Sequence, residues 1–161
     1  QIKNCFHKKT TFTSHKTLAV SLINKPMTEI TFKTTKDIPT TIQYLTDVEK
    51  FVTVHPLIYK MTDLGENNYK VFEKIKMGIL FYRFSYKANI THDNNSVKIN
   101  ASVMGLTKLT MLFNFLNEGN KTIIKEELTI QSILPIKKFM TNLISKQHQE
   151  MFKKINNSTN D

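Results

Sequence analysis

Residues 97–133 read VKINASVMGLTKLTMLFNFLNEGNKTIIKEELTIQSI. Apolar and polar residues alternate along three stretches, interrupted only at Gly105 and at NEGN (117–120). Interruptions this short allow only a reversal between antiparallel neighbours, so the pattern predicts strands at 97–104, 107–116 and 122–133. Working back, GENN (65–68), Gly78 and DNN (93–95) punctuate the same kind of alternation and predict strands at 57–64, 69–77 and 80–91. Six strands in succession therefore form a meander.

Both flanks of the meander are readable. Forward, Pro135 opens a helix to about residue 155, with Ile136, Phe139, Met140, Leu143, Ile144, His148, Met151, Phe152 and Ile155 at three- and four-residue steps. Lys137, Lys138, Lys146 and Lys153 take the other face. Backward, TEITFKTT (28–35) reads as a further strand. Asp37 caps a short helix, IPTTIQYLT, with Pro39 in its first turn, and Asp47 caps a second, VEKFVTVH, ended by His55 and Pro56.

Every long strand has one apolar and one wet face, so helices cover one side of the sheet only. Seven strands span roughly 34 Å, whereas a helix with its side chains is about 10–12 Å wide. The sheet must curl around the last helix, the two short helices must plug an end, and a hollow is expected between them. Whether that hollow stays open depends on Tyr82, Phe84, Tyr86, Phe113 and Phe115, whose rings can fill it.

With 161 residues, 40% hydrophobic and 22% charged, the chain suits one globular domain with one core. The expected organisation is one folded domain at 27–156, a frayed tail at 157–161 and a leader at 1–26. The leader carries five lysines and no acid, half of the net charge of +10. It reads as a targeting segment, as an added edge strand (TLAVSLI), or as sequence upstream of a start at Met27; the sharper pattern from Met27 onward favours the last. The lone Cys5 offers no disulfide and fits a reducing, cytoplasmic setting. No run of 18 apolar residues is present, so no transmembrane segment is expected. Lys70, Lys74, Lys76, Lys98, Lys108 and Lys125 fall on the wet face, which reads as a solvated exterior rather than a specific nucleic-acid site, with transient membrane contact left open.

Five scattered histidines (His7, His15, His55, His92, His148) give no metal-ligand spacing, and four glycines give no phosphate-binding loop. There is no G-x-S-x-G elbow. Neither metal nor cofactor is expected. Glu73 and Glu126 stand out because alternation puts both on the apolar face. A carboxyl there either orients a ligand or, with its pKa raised, moves a proton; a strand end or a bulge that flips the register is the plainer reading. His148, beside the helical stripe, reads first as a boundary residue, and His55 as a helix end.

The order strand, two short helices, six-stranded meander, long C-terminal helix resembles the helix-grip fold of the START-like (SRPBCC) superfamily. TFKTTKDIPTTIQYLTDVEKFVTVHP (31–56) is similar to its opening strand and helix pair, and TIIKEELTIQ (122–131) with the final helix to its closing elements. The fold implied is α+β: a curved seven-stranded antiparallel sheet around the last helix. The resemblance also implies an internal cavity for an apolar or amphipathic molecule such as a lipid, sterol, quinone or polyketide. Only Gly65 stands where the pollen-allergen branch has a glycine-rich loop, and no Rieske-type Cys/His arrangement exists.

On that basis Phe139, Met140, Leu143, Ile144 and Met151 are expected on one cavity wall, with Tyr82, Phe84, Ile99, Met111, Phe113 and Leu128 facing them. Tyr69, Tyr82 and Tyr86 are candidate hydroxyl donors. Ligand transport, sequestration or sensing is the expected role, and no oligomeric state is implied. A cyclase- or dehydratase-like enzyme using a buried carboxylate, or an interaction module using the basic surface, are the alternatives.

Overall fold

The computed structural model describes residues 28–77 and 79–159; the leader, and with it the strand reading of TLAVSLI, lies outside the described residues. The elements are β1 (Thr28–Thr34), α1 (Ile38–Thr46), α2 (Val48–Val54), β2 (Ile58–Gly65), β3 (Asn68–Met77), β4 (Leu80–His92), β5 (Ser96–Val103), β6 (Thr107–Glu118), β7 (Lys121–Ser132) and α3 (Lys137–Asn157). They form one antiparallel sheet of seven strands, ordered β1-β7-β6-β5-β4-β3-β2, with α3 along its concave side. This is the helix-grip α+β fold.

Local chemistry explains the joints. Glu66 and Asn67, at the β2–β3 reversal, both have left-handed backbones with φ of 53° and 61°, as a tight two-residue turn between right-twisted strands requires. Asp37 accepts a hydrogen bond from the Thr40 N–H at 2.8 Å and opens α1. Asp47 ends α1 and begins α2, accepting from the Lys50 N–H at 3.0 Å. Because β1 and β2 are opposite edges of the sheet, their connection must cross its whole width, and α1 and α2 make that crossing.

The last helix is unevenly buried. Its C-terminal half sends Met151, Phe152 and Ile155 into the core, where the Phe152 ring lies 4.6 Å from Phe32 and 5.8 Å from Phe113. Asn156 Oδ1 accepts from the Thr35 N–H at 2.8 Å and ties the helix end to the end of β1. Towards its N-terminus, Phe139 is exposed, Met140 and Leu143 are half-buried, and no side chain caps the helix. One half of α3 is bolted to β1, β6 and β7; the other half arches over open space.

Candidate functional site

Beneath that arch lies a cavity of about 140 Å³. Its walls come from α2, from β2 to β6 and from α3; no residue of β1 or β7 contributes. The hollow is off-centre because α3 packs closely on β1 and β7, while β2 to β6 wall the cavity. Ala88 on β4 and Ala101 on β5 are register partners, and both line the wall. Two methyl groups face each other where larger side chains would meet, which leaves a gap in the packing. The void is smaller than the pockets of about 300–1,000 Å³ that enclose drug-sized ligands, and is close to one that accepts benzene. Phe84, Tyr86 and Phe113 are among the rings that narrow it.

Of the residues expected on the walls, Phe84, Tyr86, Ile99, Met111, Phe113, Phe139, Met140, Leu143, Ile144 and Met151 do line the cavity. Phe139 is also 56% exposed and therefore stands at the mouth. Three placements need correction. Tyr82 pairs with Ile75 at the outer end of the β3–β4 ribbon, beyond the first β4–β5 partners (Lys87 and Ser102), and is half-exposed. Tyr69 lies at the opposite end, in a polar recess with Gln43, Asp47, Asn67 and His92. Leu128 is fully buried on β7, in the packed half of the core rather than at the hollow.

Both glutamates are buried, and no bulge has flipped them. The β3–β4 and β6–β7 registers run without a slip past Glu73 and Glu126; the irregularity beside Glu73 falls on β2, between Ile58 and Lys60. Glu73 lies on the cavity wall, where its Oε1 accepts from the Tyr86 hydroxyl at 2.9 Å. Burial raises its pKa above the usual carboxylate range, opposed in part by the Tyr86 hydrogen bond and the charge of His148. The Tyr86 phenol is held protonated by its own burial and by the neighbouring carboxyl. Glu126 sits outside the cavity. Its Oε1 is hydrogen-bonded to His148 Nδ1 at 2.8 Å, and its Oε2 is buried without a hydrogen-bond partner.

His148 is thus a buried core residue on the cavity wall, not a boundary residue. Helical spacing alone places it beside the stripe and gives no sign of the carboxylate 22 positions away. His55 does end α2, but it also lines the cavity. Its Nδ1 accepts from the backbone N–H groups of Leu57 at 3.3 Å and Ile58 at 3.0 Å, which puts the proton on Nε2. Burial, then the charges of His148 and Lys154, lower its pKa to about 3. An apolar chamber thus carries a small polar group at its wall: Glu73 with Tyr86, and the rings of His148 and His55.

No protein-family profile and no curated protein matches the sequence. Solved structures do share the fold. A START superfamily protein from Mycobacterium smegmatis superposes with a TM-score of 0.63 at 14% identity, over 80% of this chain and 92% of that one. Ara h 8.0201 does so at 0.65 and 14%, over 80% of this chain and 92% of that one. The di-domain ARO/CYC StfQ from the steffimycin biosynthetic pathway matches at 0.64 and 12%, over 80% of this chain and 48% of that one. The chain has a START-like, SRPBCC-type fold. Among the described residues, no helix is long and apolar enough to cross a membrane.

Proposed function

We propose that the protein binds a hydrophobic small molecule between the sheet and α3, for transport, sequestration or sensing. The observation that carries this reading is the cavity itself: an apolar void kept open by the Ala88–Ala101 pair, with the Glu73 carboxyl on its wall. Its size suits a guest whose buried part is about one ring, with any longer portion leaving past Phe139. The Glu73 carboxyl accepts a hydrogen bond from a guest's hydroxyl or amine, or in its protonated form donates one to a guest's carbonyl, which sets orientation, while apolar burial at about 25 cal/mol per Å² supplies affinity.

A second reading draws on the raised pKa of Glu73. A carboxyl whose hold on a proton is strengthened by burial in an apolar chamber is a candidate general acid, as in a cyclase- or dehydratase-like reaction. Native mass spectrometry of the purified protein, followed by extraction of the co-purifying molecule, tests binding. A bound lipid, quinone or polyketide is expected; a protein that stays empty and ignores hydrophobic dyes refutes it. Glu73→Gln then separates the two readings. Weaker, misoriented binding supports a carrier, and intact uptake with lost conversion of the extracted molecule supports an enzyme.

A further inference from the structure

The end of the sheet where the cavity opens differs from the other end in both charge and hydropathy. In an antiparallel meander alternate reversals share an end, so the β3–β4 and β5–β6 reversals lie together with the β7–α3 link. The Leu106 carbonyl accepts from the Ile133 N–H at 3.4 Å, which confirms that the last two are adjacent. This rim exposes Ile79, Leu80, Phe81, Met104, Ile133 and Phe139, with Ile79 at 92%. Segments 74–84, 101–110 and 128–141, which make up the rim, contain six basic residues (Lys74, Lys76, Arg83, Lys108, Lys137, Lys138) and no acid. The corresponding segments at the opposite end, 60–70, 87–98 and 114–125, hold four acids (Asp63, Glu66, Asp93, Glu118) among six lysines, so the excess of positive charge is concentrated at the rim.

Two details make the rim a poor match for water alone. Residues 80–86 of β4 have no partner on β5, and residues 74–77 of β3 have none on β2, so the hairpin ends as a two-stranded ribbon. Such a ribbon is marginal in water unless its apolar residues are covered. Its outer face nonetheless presents Phe81, with Lys74 Nζ 4.3 Å and Lys76 Nζ 5.7 Å from the ring centroid. In addition, Lys137 and Lys138 occupy the first turn of α3 with no acidic residue there, against the sense of the helix dipole. An anionic surface corrects that mismatch, and an apolar layer beneath it covers the ribbon.

We infer that this rim docks onto an anionic lipid bilayer, with the Ile79–Phe81 tip in the apolar boundary layer and the six basic side chains at the headgroups. Such docking points the cavity mouth at Phe139 towards the membrane. The inference rests on the proposed ligand site only for its purpose, since docking is measured without any cavity ligand. Charge decides between occupants: no acid-rich face in the described chain matches the rim's six cations together with its apolar tip, whereas an anionic bilayer offers both layers at once.

The test is flotation of the purified protein with vesicles of phosphatidylcholine alone or mixed with phosphatidylglycerol. Binding to the mixed vesicles is expected, weakening steeply with salt, and little binding to neutral ones. Lys137→Glu/Lys138→Glu lowers partitioning by at least about tenfold. Ile79→Ser/Phe81→Ser abolishes it without loss of fold, as both side chains are exposed. Glu118→Lys, at the opposite end, leaves it unchanged. Failure to float with anionic vesicles overturns the inference, as does equal flotation of the tip variant. Sedimentation velocity supplies the other check: a dimer that Ile79→Ser/Phe81→Ser dissociates gives the rim to a second copy of the chain and overturns membrane docking. Loss of flotation with retained ligand uptake leaves the cavity reading standing, and the converse result separates the two in the other direction.

Discussion

Enlarging Ala101 is the most direct challenge to the cavity. Ala101→Leu adds three carbons opposite Ala88, in the gap itself. At about 0.8 kcal/mol per buried methylene, the added carbons contribute at most roughly 2–3 kcal/mol. Filling the whole 140 Å³ void has a similar ceiling, about 3 kcal/mol at 24 cal/mol per Å³. Strain from an imperfect fit subtracts about 1–3 kcal/mol, so the net change in stability lies between about 1 kcal/mol destabilising and about 2 kcal/mol stabilising. The effect on binding is larger. A ring-sized guest buries roughly 150–200 Å², worth about 4–5 kcal/mol, which corresponds to a Kd near 1 mM or somewhat below. Ala101→Leu should weaken uptake of phenol or toluene, followed by ligand-detected NMR, at least tenfold while urea melts show a cooperatively folded protein whose stability changes by no more than about 1–2 kcal/mol. Undiminished uptake in this variant and in Ala88→Leu refutes the assignment of the void as the binding site. A stabilised, non-binding variant would mean that the protein forgoes stability to keep the space open.

Two other outcomes follow from the buried ionisable groups. His148→Leu leaves both oxygens of the fully buried Glu126 unpartnered and should cost about 3–5 kcal/mol in urea unfolding, most of it recovered in Glu126→Met/His148→Leu; equal losses in the single and double variants would show that the pair is not the cause. His55 titrates near 6.5 when unfolded but at about 3 in the fold, so the unfolded chain binds the extra proton between those values and stability falls as the pH drops through that window. At 1.36 kcal/mol per pH unit the loss from pH 6.5 to 4.5 is roughly 2–3 kcal/mol. Glu73 acts with the opposite sign, because its raised native pKa makes the fold hold a proton that the unfolded chain releases. Urea melts in a Glu73→Gln background therefore isolate the histidine, and a slope unchanged by His55→Asn would contradict this account.

The reversals, the strand alternation and the two aspartate caps were legible because each depends on a few neighbouring residues. The period of two assigned Glu73, Tyr86, Ile99 and Met111 to the inner face, and the period near 3.6 found the stripe on α3. Those same rules misplaced Tyr82 and Leu128. Alternation says which face a side chain takes; it does not say how far the helix stands from that face at a given point along the strand. Tyr82 has the inner parity but lies beyond the neighbouring strand, and Leu128 has it where helix and sheet are pressed together.

The sequence by itself determined the order of elements, the one-sided sheet and the placement of both glutamates on the apolar face. Only the tertiary structure decided that Ala88 meets Ala101, that Glu126 meets His148, and that most of the exposed apolar residues gather with basic residues at one end of the sheet. The first group follows from torsions and hydrogen bonds within a turn or two of chain. The second depends on register and curvature between segments far apart in sequence, where small differences in how the sheet coils choose which side chains touch.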